Sequence, residues 1–203
     1  MSGTLPLTTE LDAINQMLDV IGEAPVTTVD DTGLVDAAMA RDLLRRVSRE
    51  VQGRGWYWNT DKNVELLPTS PPESQILVPV DALRLDPTDP SVDAVTRGNR
   101  LWDRANLTWS WSGAVRCTIV RLLPFEDMPE AARQYIGMRA ARIFQDRRIG
   151  SETRNGFNAA DEVRALVTLE NAEAETSDRS MADSPSVARI VNPWSPMGPS
   201  WRQ

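Results

Sequence analysis

Apolar residues recur at steps of three and four near both ends of the chain and at steps of about two in between. The first stretch, "TTELDAINQMLDVIGEAPV", predicts a helix with Leu11, Ile14, Leu18 and Ile21 on one stripe. Thr9 followed by Asp12 forms a capping box, and Gly22 and Pro25 stop the helix. "DAAMARDLLRRVSREVQGRG" predicts a second helix capped by Asp36, with Ala40, Leu43, Leu44, Val47 and Val51 buried and Arg41, Arg45, Arg46 and Arg49 mostly on the other side. A third helix follows in "DMPEAARQYIGMRAARIFQDRRIG". Its face is Ala132, Ile136, Ala140, Ile143 and Phe144, with Pro129 in the first turn, Asp127 and Glu130 at the positive end of the dipole, and Gly150 as the stop. A fourth, from about Asn158 to Glu175, buries Val163, Leu166 and Val167.

From Trp56 to Leu123 the period shortens. "NVELLP", "SQILVPV", "DAVTRGNRLWDR" and "GAVRCTIVRLLP" read as strands, and "SPPES" and "DPTDPS" as loops. Gly98-Asn99 is a two-residue hairpin turn, which favours antiparallel pairing. The pattern therefore predicts an α+β chain: a bundle of about four helices from residues 1–55 and 124–178, an antiparallel β insertion at 56–123, and a linker with an extended proline-rich tail at 179–203.

Charge sharpens this picture. The chain has 203 residues and a net charge of −7, which argues against a protein that coats nucleic acid. Of its 22 basic residues only Lys62 is lysine, and arginine is the better residue for partly buried ion pairs. GC-rich codon usage gives the same bias. Residues 128–150 hold five arginines against two acids, residues 151–183 eight acids against three arginines, and residues 184–203 two arginines and no acid. Regions of opposite sign pair within one subunit or across a subunit boundary, or are simply solvated.

Catalytic chemistry is sparse. The chain has no histidine, which removes Ser-His and Cys-His nucleophiles and histidine-ligated metals. Cys117 lies in the apolar run "AVRCTIV" and reads as a small buried hydrophobe. No phosphate loop, dinucleotide fingerprint or metal-ligand spacing appears, so no cofactor and no metal is expected. Glu126, Asp127 and Glu130 are the nearest thing to a glycosidase pair, but a helix start explains them. Trp56 and Trp58 alternate, as do Trp109 and Trp111, an arrangement suited to stacking on single strands or to a sheet interior. With few basic residues nearby, the interior is the expectation. No apolar run is long enough to span a bilayer, and "MSGTLPLTTELD" lacks the features of a signal peptide.

"IGEAPV", "QGRGWYWN", "LLP" and "DMPEAARQYI", in this order and spacing across residues 10–155, resemble the tail tubular protein A family of short-tailed bacteriophages. "RGNRLWDR" matches more loosely. The resemblance implies a head-to-tail adaptor or gatekeeper of the virion tail, made in the host cytoplasm. It implies a ring of twelve copies below the portal protein that carries the nozzle (tail tubular protein B) and tail fibres and lets DNA pass without sequence-specific binding. An acidic balance suits such a channel. A tail-associated hydrolase of envelope polysaccharide or peptidoglycan is the alternative, and a single-strand binder a third reading.

"VNPWSPMGPSWRQ" closes the chain with two tryptophans, three prolines and no acid. It reads as a strap that docks on the portal or on a neighbouring subunit, with Trp194 and Trp201 as anchors, Ile190, Val191 and Met197 around them, and Arg189 and Arg202 facing an acidic surface. Ring contacts are expected between Arg45, Arg46, Arg139 and Arg142 and acids of the neighbour's fourth helix, Glu170 and Glu173.

Overall fold

The computed structural model describes residues 7–29, 33–148 and 152–182, with side chains of 152–158 and 177–182 left aside. Helix α1 (Glu10–Asp19) starts as its sequence dictates: the Thr9 hydroxyl accepts the Asp12 N–H, and the Asp12 carboxylate accepts the Thr9 N–H. These bonds hold the Asp12 carboxyl below the ordinary carboxylate range, the Thr9 hydroxyl being the largest cause. Helix α2 (Val35–Gln52) begins one residue before Asp36. Asp36 is therefore not its cap; Leu34 holds that position with no side-chain bond, and Asp36 pairs with Arg148 at the end of α3. The stripe Ala40, Leu43, Leu44, Val47 and Val51 is buried as its spacing requires.

Helix α3 (Glu130–Arg148) runs through the middle of the body, touching α1, α2 and α4. Its face of Ala132, Ile136, Ala140 and Phe144 is buried, with Ile143 packed at the margin. Gly150, the expected stop, lies outside the described residues. Helix α4 (Glu152–Ala182) differs from its expected form in two ways. It is longer, because nothing before Pro185 breaks the "AETSDRSMA" run. It is also rotated: Ala165 and Leu169 are buried, Leu166 is half-buried, and Val163 and Val167 are 60% and 47% exposed. A sparse apolar pattern at three- and four-residue steps admitted either stripe.

The insertion has its own core of Ile76, Val78, Leu85, Leu101, Val115, Cys117 and Ile119, distinct from the helical one. Strand β5 (Val115–Arg121) is central, with β1 (Thr60–Leu66) and β2 (Ala82–Pro87) antiparallel on its two sides. Strand β2 escapes the sequence pattern because it is short and ends in a proline, which an edge tolerates. The run "SQILVPV" gives only isolated bridges. Strands β3 (Ala94–Arg97) and β4 (Arg100–Asp103) form the expected hairpin around Gly98-Asn99, where Gly98 takes φ +62°.

Buried amides sew the insertion to α2. Gln52 accepts the Leu123 N–H at 2.7 Å and donates to the Leu123 carbonyl at 3.0 Å. Asn59 accepts from the Trp56 N–H and donates to the Gln52 and Arg121 carbonyls. Gly55 takes φ +79°, which favours glycine, and a Cβ there would crowd the Arg84 guanidinium at 2.9 Å and Val120 at 3.0 Å.

Candidate interaction surfaces

The tryptophans of "GRGWYWN" do not alternate on a strand. Residues Tyr57–Asn59 form a 3₁₀ turn, so Trp56 is buried with its indole N–H on the Val51 carbonyl at 2.8 Å. Trp58 packs beside the helical core and Tyr57 is exposed. In "LTWSWSG", Trp111 joins the insertion's core and donates to the Leu101 carbonyl at 3.0 Å. Trp109 instead meets Trp102 edge-on at 4.7 Å, with Arg100 and Arg97 each 4.9 Å from one of the two ring centroids. The interior expectation thus holds for Trp56, Trp58 and Trp111, while at Trp109 and Trp102 the basic residues expected to be few are supplied by β3 and β4.

Two of the three carboxylates at the start of α3 serve structure, and Asp127 is exposed. Glu130 accepts the Thr8 hydroxyl at 2.6 Å and the Thr8 N–H at 3.0 Å, and Glu126 accepts the Glu10 N–H. Partial burial works to raise the Glu130 pKa, but the bonds from Thr8 and Gln134 and the charge of Arg133 outweigh it and hold it low. A general acid needs the opposite shift. Cys117 is buried, and that burial, with a smaller effect from Asp86, pushes its thiol to about 11, so it is not a ready nucleophile. No metal-holding group of His, Cys, Asp or Glu occurs among the described residues, and no helix among them is long and apolar enough to cross a membrane.

Of the arginines singled out from sequence, three have acidic partners in their own chain. Arg139 bonds Glu50 at 2.6 Å and Glu162 at 2.9 Å, and Arg142 bonds Glu162 and Asp146. Glu162, buried on α4, thus ties α3 to α4. Arg45 pairs with Glu10 at 3.0 Å. Arg46 is exposed and, among the described residues, unpaired. Glu173 accepts the Tyr57 N–H at 2.5 Å, which anchors α4 to the root of the insertion, and Glu170 is exposed with no cation beside it among the described residues. The tail anchors Arg189, Ile190, Val191, Trp194, Met197, Trp201 and Arg202 all lie outside the described residues. A groove of about 410 Å³ runs between α2 and the returning segment 122–126, with Leu44, Leu122, Leu123 and Phe125 below and Glu10, Arg45, Arg49 and Glu126 at its rim.

A sequence model of a family described as "Tail tubular protein" matches residues 11–179, which takes in both helical segments and the insertion. A curated relative, tail tubular protein A of Klebsiella phage KP34, is 34% identical over 128 residues. That stretch covers 63% of this chain and 66% of the relative, just under two thirds of its length.

Proposed function

The chain belongs to the tail tubular protein family, and from that premise we propose that it is a structural component of a short-tailed phage virion, the adaptor between head and tail. Copies form a ring, twelve by the family resemblance, below the portal protein. The ring carries the nozzle and tail fibres and lines part of the channel through which DNA leaves. The observation that carries this reading is the family match across body and insertion together. It is supported by carboxylates and a thiol that are engaged or buried rather than poised for chemistry.

Within that role, residues 185–203 dock on the portal or on a neighbouring copy through Trp194 and Trp201. Arg45, Arg46, Arg139 and Arg142 remain candidates for contacts with acids of the neighbour's α4. Arg46 leads, because the other three already bind acids of their own chain.

Negative-stain microscopy of the purified chain, alone and with portal particles, tests the reading through particle symmetry and mass. Closed rings that cap portals are expected, and deletion of 185–203 should abolish capping while leaving the subunit's melting intact. A chain that stays monomeric with and without portal overturns the adaptor role.

A further inference from the structure

The β insertion carries an outward face whose chemistry is unusual for an isolated subunit. In the hairpin register Arg97 stands opposite Arg100 and Val95 opposite Trp102. The bridge between Leu77 and Arg100 extends this face by one strand, while Ile76 and Leu101 point the other way, fully buried in the insertion's core. Like charges directly opposite on paired strands are destabilising. Here each is held on its own ring, Arg97 over Trp102 and Arg100 over Trp109. Among the described residues the only polar side-chain partner of the pair is Gln75, which accepts from Arg100 at 3.1 Å. Beside the arginines, Leu77 is 52% and Leu67 69% exposed, brought together by the adjacent Pro68–Ile76 bridge. Arginines lying on tryptophan rings have the composition of an interface centre, and the exposed leucines beside them add apolar area.

A matching surface stands on α4. Val163, Val167 and Glu170 follow at steps of four and three, one exposed stripe turned away from buried Ala165 and Leu169. The stripe spans roughly 10 Å at 1.5 Å per residue. The row Leu77, Arg100, Arg97 also spans roughly 10 Å, at about 4.8 Å per strand. Each surface reads apolar then charged, with opposite sign.

We propose that the Arg97–Arg100 face of one copy receives the Val163–Val167–Glu170 stripe of a second copy, with the Glu170 carboxylate between the two guanidiniums and the valines against Leu77. The contact is heterologous, so repetition closes a ring or extends a filament. It rests on the ring reading above and moves the partner of Glu170 from the helical arginines to the insertion. Nucleic acid is the poorer occupant: two arginines on a chain of net charge −7 neutralise few phosphates, and each indole already carries a guanidinium on one face.

Sedimentation velocity on the full chain decides the matter. The wild type should self-associate, the double variant Arg97→Glu/Arg100→Glu should sediment as monomer, and Glu170→Arg should do the same from a different element. An equimolar mixture of these two variants should recover at least a dimer, through the native Glu170 of one and the native Arg97 and Arg100 of the other, and longer assemblies where the reversed patches also pair. Arg46→Glu should leave association unchanged. Assembly that survives both hairpin charge reversals, or that Arg46→Glu alone destroys, overturns this contact and leaves the ring reading standing. A wild type that is monomeric in this assay overturns this contact as a free-chain association, and the ring reading falls with it only if portal particles also fail to assemble the chain. Binding of a 20-nucleotide single strand that the double variant loses, with association unaltered, assigns the face to nucleic acid and also overturns the contact.

Discussion

In the helical body, Arg139 and Arg142 converge on buried Glu162 and take Glu50 and Asp146 as second partners. On the β insertion, Arg97 and Arg100 face each other across a hairpin and lie on indole rings, with no carboxylate at hand among the described residues. The same residue type thus plays two parts. In the body its charge is consumed in joining one helix to the next, and removing a partner leaves a partly buried cation unpaired. On the hairpin it lies on an indole ring without a carboxylate beside it, so stacking offsets the repulsion between two facing like charges. Arginine count alone therefore says little about where partners bind; what each guanidinium already holds says more.

The separation of the two cores gives the sharpest way to break this comparison. Leu44 in the body and Leu101 in the insertion are both almost fully buried, and truncation of either to alanine should cost about 2–5 kcal/mol. The consequences should differ. Leu44→Ala should lower the melting temperature of the whole chain, because its core reaches all four helices. Leu101→Ala should release mainly the insertion, seen in hydrogen exchange as lost protection in β3–β5 with α2 and α3 still protected. Uniform loss of protection in Leu101→Ala would mean one cooperative unit, and the two regions could not then be treated separately.

A smaller effect is expected at Glu162→Gln, which keeps the shape and removes the charge. Arg139 and Arg142 are each about a quarter exposed, 26% and 27%, so solvent softens the loss. We expect about 1–2 kcal/mol, read as a lower urea midpoint at unchanged slope. An unchanged midpoint would show that these arginines are as free as those on the hairpin.

How much of this was legible beforehand follows the range of each interaction. The Thr9–Asp12 capping box and the Gly98-Asn99 turn are set within a few residues, and both form as read. The stripe of α2 was legible because five apolar residues, four of them Leu or Val, agree on one face. The stripe of α4 was not, because Val163 and Val167 satisfy the helical period as well as the residues that are buried. The paired tryptophans misled for another reason. A two-residue period implies one face only if the backbone is extended, and Tyr57–Asn59 turns instead. The arginine partners were beyond reach, since Arg139 meets Glu50 from 89 residues away and Arg97 meets Trp102 only after the hairpin folds.

The smallest expected effect is the most discriminating. Replacing both Arg97 and Arg100 with alanine removes two stacking contacts, each about 0.5–1 kcal/mol at an exposed site. It also removes a like-charge pair directly opposite in the register, a relief of similar size. The two terms oppose each other, so subunit stability should change by less than about 1 kcal/mol, unlike Glu162→Gln. Salt should separate them. Repulsion between the guanidiniums is screened at high ionic strength, whereas ring stacking at contact distance is screened much less. Wild type should therefore gain on the double variant as salt rises, and urea midpoints at 0.05 M and 1 M salt would show it. A loss above about 2 kcal/mol at both salt concentrations would mean that the hairpin arginines hold the insertion together. They would then be structural in the same sense as Arg139 and Arg142, and the contrast between the two regions would disappear.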